Sequence, residues 1–86
     1  MAVNTDKVDE ITVILYPNPI ANKAILELNN SNYKTIQLVD SRGVLTRTWD
    51  TSDRRINIAK NDLSSGNYFL TIIEGNSTTT IPIIFQ

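Results

Sequence analysis

The strongest constraint on this chain is its rhythm. Short β-branched and aromatic runs alternate with clusters of Gly, Pro, Asn, Asp and Ser, and no window holds the period of an amphipathic helix. The clearest unit is Leu63–Ile73. Ser64, Ser65, Gly66 and Asn67 are turn formers, and Gly66 takes a positive φ without steric cost. Tyr68, Leu70 and Ile72 then point to one face of a strand, and Phe69, Thr71 and Ile73 to the other. Five of these six are large and apolar, so both faces are expected to be largely covered and the strand to be central.

The rest of the chain has the same pattern. Met1 to Glu10 is polar and acidic and reads as a flexible lead-in, the end of a linker from another domain, so the folded domain is expected over residues 11–86. Ile11 to Tyr16 is a first strand, halted by Tyr16-Pro17-Asn18-Pro19, a rigid bend leaving the sheet. Ala24 to Leu28 alternates, with Ala24, Leu26 and Leu28 on one face. Tyr33 to Asp40 follows, with Ile36 and Leu38 inward, and Asp40-Ser41-Arg42-Gly43 has the Asp-first, Gly-last order of a type I hairpin turn. Val44 to Trp49 is a strand whose Thr46 and Arg47 predict one wet face. Arg54 to Ile58 is a short strand with Ile56 and Ile58 on one side. Ala59 to Leu63 is a brief irregular turn or one turn of helix. The last strand, Thr79 to Phe85, places Ile81, Ile83 and Phe85 together and carries Pro82, which cannot donate to a ladder and so puts this strand at an edge. Roughly seven strands with turn signals every 8–12 residues predict an all-β fold, an immunoglobulin-like antiparallel β-sandwich, with a small barrel as the alternative.

Composition narrows function by exclusion. The chain has 86 residues, enough for one domain that buries roughly 60% of its unfolded surface. Its formal charge is −1 with both signs scattered, which leaves no basic stripe for nucleic acid or for an anionic membrane. With no cysteine and no histidine, it lacks a thiolate, the usual general base and the commonest metal ligand. Ser64 and Ser65 are explained by their turn, as are Asp40, Asp50, Asp53 and Asp62. No catalytic residue, cofactor site or metal site is assigned, although Asp50, Asp53 and Asp62 form a calcium set if the fold gathers them. Trp49 and Tyr33 are the aromatics available to stack a sugar or peptide, with Trp49 as a cap on the core the simpler reading. Asn29-Asn30-Ser31 and Asn76-Ser77-Thr78 match the short glycosylation sequon.

Three segments in order carry a more specific signal. They are Tyr16-Pro17-Asn18-Pro19, then Leu38 to Leu45 with Asp40 and Gly43, then Leu63 to Leu70 with Leu63, Gly66 and Tyr68 in a Leu-x-x-Gly-x-Tyr pattern. Together they resemble the C-terminal sorting domain of type IX (Por) secretion cargo, over about Ile11 to Gln86. The resemblance implies an immunoglobulin-like sandwich that directs an upstream cargo domain through an outer-membrane translocon. It further implies removal by a sortase-like peptidase and attachment of the cargo at the cell surface of a Gram-negative bacterium, without catalysis by the domain itself.

The chain departs from the family pattern in having no Lys or Arg from Glu74 to Gln86. Its candidate translocon contact is the terminal strand itself, Ile81, Ile83, Ile84, Phe85 and Gln86, with Tyr68 expected to pack rather than to be read. A carbohydrate-binding or adhesive module using Trp49 and Tyr33, and a plain structural spacer, are the competing readings. A weak homodimer through an edge strand is also expected; Pro82 blunts the last strand as one such edge, and the first strand is the other candidate.

Overall fold

The computed structural model describes residues 12–86. The expected lead-in, Met1 to Glu10, and the first residue of the expected first strand, Ile11, lie outside them. The elements are β1 (Val13–Tyr16), β2 (Lys23–Leu28), β3 (Lys34–Asp40), β4 (Leu45–Thr51), β5 (Arg55–Ala59), β6 (Gly66–Glu74) and β7 (Ser77–Phe85). Two antiparallel sheets result, one in the order β1-β2-β5 and one in the order β4-β3-β6-β7. The chain crosses between sheets after β2, β4 and β5, so hairpins and crossovers alternate as in immunoglobulin-like folds. The sheets are separate layers, which removes the barrel alternative.

The period-2 alternation places the core. Ala24, Leu26 and Leu28 of β2 and Ile56 and Ile58 of β5 face Ile36 and Leu38 of β3, Tyr68, Leu70 and Ile72 of β6, and Ile83 and Phe85 of β7. Trp49 is half-buried and packs against this cluster, as a core cap. Each strand was readable to within a few residues, and the differences fall at strand ends, where side chains already leave the core.

Two expectations need correction. β6 is central, between β3 and β7, yet only its inner face is covered, and Phe69 is 43% exposed. A two-layer sandwich has no third layer to cover the outer face, whatever residues stand there. β4 has the expected wet face, with Thr46, Thr48 and Asp50 exposed, but Arg47 is not on it: it is half-buried on the inner side, where its Nη1 donates to the Ala59 carbonyl of β5 at 2.7 Å. Of the two readings of Ala59 to Leu63 the irregular turn holds: Leu63 N–H donates to the Lys60 carbonyl at 2.9 Å, with Asn61 at φ 51°. Arg55 of β5 pairs with Glu27 of β2 across the strands at 3.7 Å.

One residue at the opposite end of the sheet was missed. Lys34 is 1% exposed, because the alternation that turns Ile36 and Leu38 inward also turns residue 34 inward. Its aliphatic stem lies against the core and its ammonium donates to the carbonyls of Asn32 and Asn30, the latter at 3.4 Å. Glu74 sits beside this loop and accepts hydrogen bonds from the side-chain amides of Asn30 (3.2 Å) and Asn32 (2.6 Å).

Candidate functional site

The proline-flanked segment after β1 does more than end a strand. It leaves the three-stranded sheet and docks on the free edge of β7 in the other sheet. The bonds before Pro17 and Pro19 are both cis, and Asn18 and Ile20 lie on that edge. Asn18 uses both ends of its amide there: Nδ2 donates to the Pro82 carbonyl at 3.3 Å, and Oδ1 accepts from the Ile84 N–H at 3.1 Å. Ile20 continues as a one-residue parallel bridge to Phe85. Its N–H donates to the Ile84 carbonyl and its own carbonyl accepts from the Gln86 N–H, both at 2.7 Å. Ile20 is fully buried, so this short clasp also closes the core.

On the other side of β7 lies the Leu-x-x-Gly-x-Tyr segment. Gly66 pairs with Phe85 and adopts φ 145°, a backbone state that side-chain-bearing residues rarely reach. Tyr68 is 6% exposed, meets Phe85 edge to face with ring centroids 5.1 Å apart, and donates its hydroxyl proton to the Ser64 carbonyl at 2.8 Å. A tyrosine at the start of a strand bonding back to the preceding turn is the corner device of immunoglobulin-like sandwiches. Leu63, just upstream, is half-buried against the core.

The third segment stands next to the second in register, because Asp40 of β3 is paired with Tyr68 of β6. Asp40 organises the turn of its hairpin. Its Oδ1 accepts from the N–H groups of Arg42 (2.9 Å) and Val44 (3.0 Å), and its Oδ2 accepts from Arg42 Nε (3.2 Å) and Nη2 (2.8 Å). Gly43 donates to the Asp40 carbonyl at 2.9 Å with φ 87°, which closes a four-residue turn on a left-handed glycine, and the register shifts between Leu38 and Val39. The Arg42 guanidinium, then the N–H of Val44, hold the Asp40 carboxyl below its ordinary value.

The three sequence segments therefore meet at one end of the sandwich, around the last residues of β7. An open groove of about 460 Å³ runs over that end, and Asn18, Ser41, Asn67, Phe69 and Ile84 line it. Of the candidate contact residues in the terminal strand, Ile83 and Phe85 are each 1% exposed and belong to the core. Burial of two alternate residues leaves Ile84 and Gln86 as the ones that present side chains to solvent, with Ile81 half-buried. Pro17, Pro19 and Leu63 act by shaping and packing the chain. Tyr16 faces away from this end, on the outer side of the three-stranded sheet, where its hydroxyl donates to Glu27 Oε2 at 2.7 Å.

The other candidate sites do not assemble. Among the described residues no three Asp or Glu side chains are grouped as a metal site. Asp50 instead accepts from the Thr35 hydroxyl at 2.7 Å and lies beside Tyr33, raising the pKa of that phenol. Trp49 faces the core and Tyr33 is solvent-exposed, so the two aromatics form no common platform. The partner of Asn18 is the main feature that sequence reasoning missed. The only available signal was the pairing of a proline-locked bend with an edge strand containing proline.

No match was found among curated proteins. Among solved structures, the chain resembles part of PorZ, described as an essential bacterial surface component of the type IX secretion system of Porphyromonas gingivalis. The TM-score is 0.75 at 15% identity, over 95% of this chain and 12% of PorZ. That is a likeness of fold, and the chain spans about an eighth of PorZ's length. The sequence profile of the secretion system C-terminal sorting domain matches residues 14–86 and takes in all three converging segments. The chain belongs to this family of type IX secretion C-terminal sorting domains.

Proposed function

We propose that this domain is the address of a larger cargo protein: a folded signal that carries an upstream domain through the outer-membrane translocon of the type IX system. The supporting observation is the convergence of Asn18, Asp40 and Tyr68 on the C-terminal half of β7, which holds the terminal strand in one defined presentation. What the translocon meets is the surface of the clasped end, with Ile84 and Gln86 exposed and Tyr68, Ile83 and Phe85 holding it from beneath. A basic residue in the terminal strand is not part of this contact, since none occurs from Gly75 to Gln86. After passage, a sortase-like peptidase removes the domain and the cargo is attached at the cell surface. The domain performs no chemistry of its own in this scheme.

The experiment is a fusion of residues 1–86 behind a signal peptide and a reporter enzyme, expressed in a host with an intact type IX system and in one whose translocon is deleted. The expected result is reporter outside the first host and periplasmic reporter in the second. Periplasmic retention in both hosts overturns the reading. A shortened reporter at the surface, missing the 86-residue domain, tests the peptidase step separately.

A further inference from the structure

The clasp that seals one half of the β7 edge leaves the other half open. The bonds of Asn18 and Ile20 to the Pro82 carbonyl, to Ile84 and to Gln86 identify the even-numbered residues as those whose backbone faces away from β6. By the same alternation, the N–H and C=O groups of Thr78 and Thr80 face outward, and no described residue pairs with them.

The other sheet edges are defended. β1 is four residues long. β4 lies opposite a bulge and carries Arg47 and Asp50. β5 carries Arg55, and the Ala59 carbonyl at its end is taken by Arg47. Natural edges are blunted by such shortness, bulges and charges. β7 has nine residues and, from Gly75 onward, the chain has no ionisable side chain.

We propose that a second copy of this chain adds to this open half, β7 against β7, antiparallel about a two-fold axis. The structure selects the register. Thr80 facing its own copy would place Thr78 opposite Pro82, which has no N–H and whose edge is already covered by Asn18. Thr78 facing its own copy would place Thr80 opposite Asn76, which lies in the β6–β7 turn. The intermediate register sets Thr78 opposite Thr80 of the second copy and Thr79 opposite itself, so all four outward-facing groups of each copy pair within strand residues. It brings no like charges together and places threonine against threonine, a favourable cross-strand pair. The interface is smaller than that of a stable dimer, so it forms at high local concentration, as when cargo molecules gather on one surface. At its ends Asn76 of one copy lies opposite Pro82 of the other, at the border of the clasp, and Ile84 and Gln86 stay outside the pairing.

The absence of cysteine allows a direct test on the full chain. In this register Thr79 and its copy form a non-hydrogen-bonded pair with Cα atoms about 4.5 Å apart, within disulfide reach. Under mild oxidation Thr79→Cys is expected to cross-link at least about tenfold faster than Ser52→Cys, which places a cysteine on an exposed turn. Light scattering of the unmodified chain is expected to rise from the mass of one copy toward that of two between roughly 10 µM and 1 mM. Adding Thr78→Lys and Thr80→Lys sets ammonium groups opposite one another at exposed positions without touching the core, and is expected to abolish both effects. The proposal is overturned if Thr79→Cys cross-links no faster than Ser52→Cys. It is equally overturned if the two lysines leave cross-linking unchanged while circular dichroism reports an intact fold.

Discussion

The two halves of the β7 edge belong to one strand and meet different fates. From the Pro82 carbonyl to the Gln86 N–H every outward backbone group has a partner in the segment after β1, supplied by the Asn18 amide and the Ile20 backbone. From Ser77 to Ile81 no described segment covers the edge. The inner side differs in the same way: Ile83 and Phe85 are buried to 1% exposure, whereas Thr79 and Ile81 are half-buried because the opposing sheet has only three strands. Proline alone does not protect an edge. Pro82 removes one donor, and the clasp beside it satisfies the groups that remain.

The contrast is open to attack where the burial is greatest. Phe85→Ala removes the ring that Tyr68 packs against and that lies under the Ile20 bridge. It is expected to destabilise the domain by about 3–5 kcal/mol, read from urea unfolding. A loss of about 1 kcal/mol or less would mean that the clasped end is not where the fold is held. Asn18→Ala is a smaller break. It deletes two hydrogen bonds at an exposed site, for a cost of about 1–2 kcal/mol, and should raise amide exchange at Ile84 while leaving Thr79 and Ile81 unchanged. Uniform acceleration along β7 would contradict the division into two halves.

Acid sharpens the same comparison. The Asp40 carboxyl is held below its ordinary value by Arg42 and by the Val44 N–H, so the folded state favours its ionised form. The stability this contributes is complete above the unfolded value of about 3.9 and is lost as pH falls through the depressed folded value. Amide shifts of Arg42 and Val44 should titrate with a midpoint below the usual carboxylate range and report the hairpin next to Tyr68 loosening, while the Thr78–Thr80 amides stay still. A midpoint at or above that range contradicts the bonding described for Asp40. The smallest effect is expected at the open half. Thr78→Lys alone should change unfolding free energy by less than about 0.5 kcal/mol, since the side chain is exposed and buries nothing.

Much of this arrangement was legible in the chain. The alternation in Ala24–Leu28 and Ile36–Leu38 gave the inward faces, Pro82 gave the edge, and Asp40 with Gly43 gave the turn, because each of these signals acts within a few residues. Other features depend on contacts that local pattern does not encode. Asn18 bonds to residues 64 and 66 positions away, and an asparagine between prolines reads the same whether or not an edge strand lies across from it. Phe69 is as apolar as its buried neighbours and was expected to be covered, yet only the number of layers decides that. Lys34 is a polar residue at an inward position, and its burial depends on the carbonyls of a loop folding back over it. The family resemblance was legible because its marks are local. The reason they recur in one order, that they surround the same half-strand, is a property of the fold.

The most direct measurement of the central claim is the extracellular fraction of a reporter fused to residues 1–86 in a type IX-competent host, compared between the unaltered domain and Phe85→Ala. The account predicts export for the unaltered fusion and periplasmic retention for Phe85→Ala, because the terminal strand then loses its fixed presentation. Export of both to the same extent would contradict it, as would retention of the unaltered fusion.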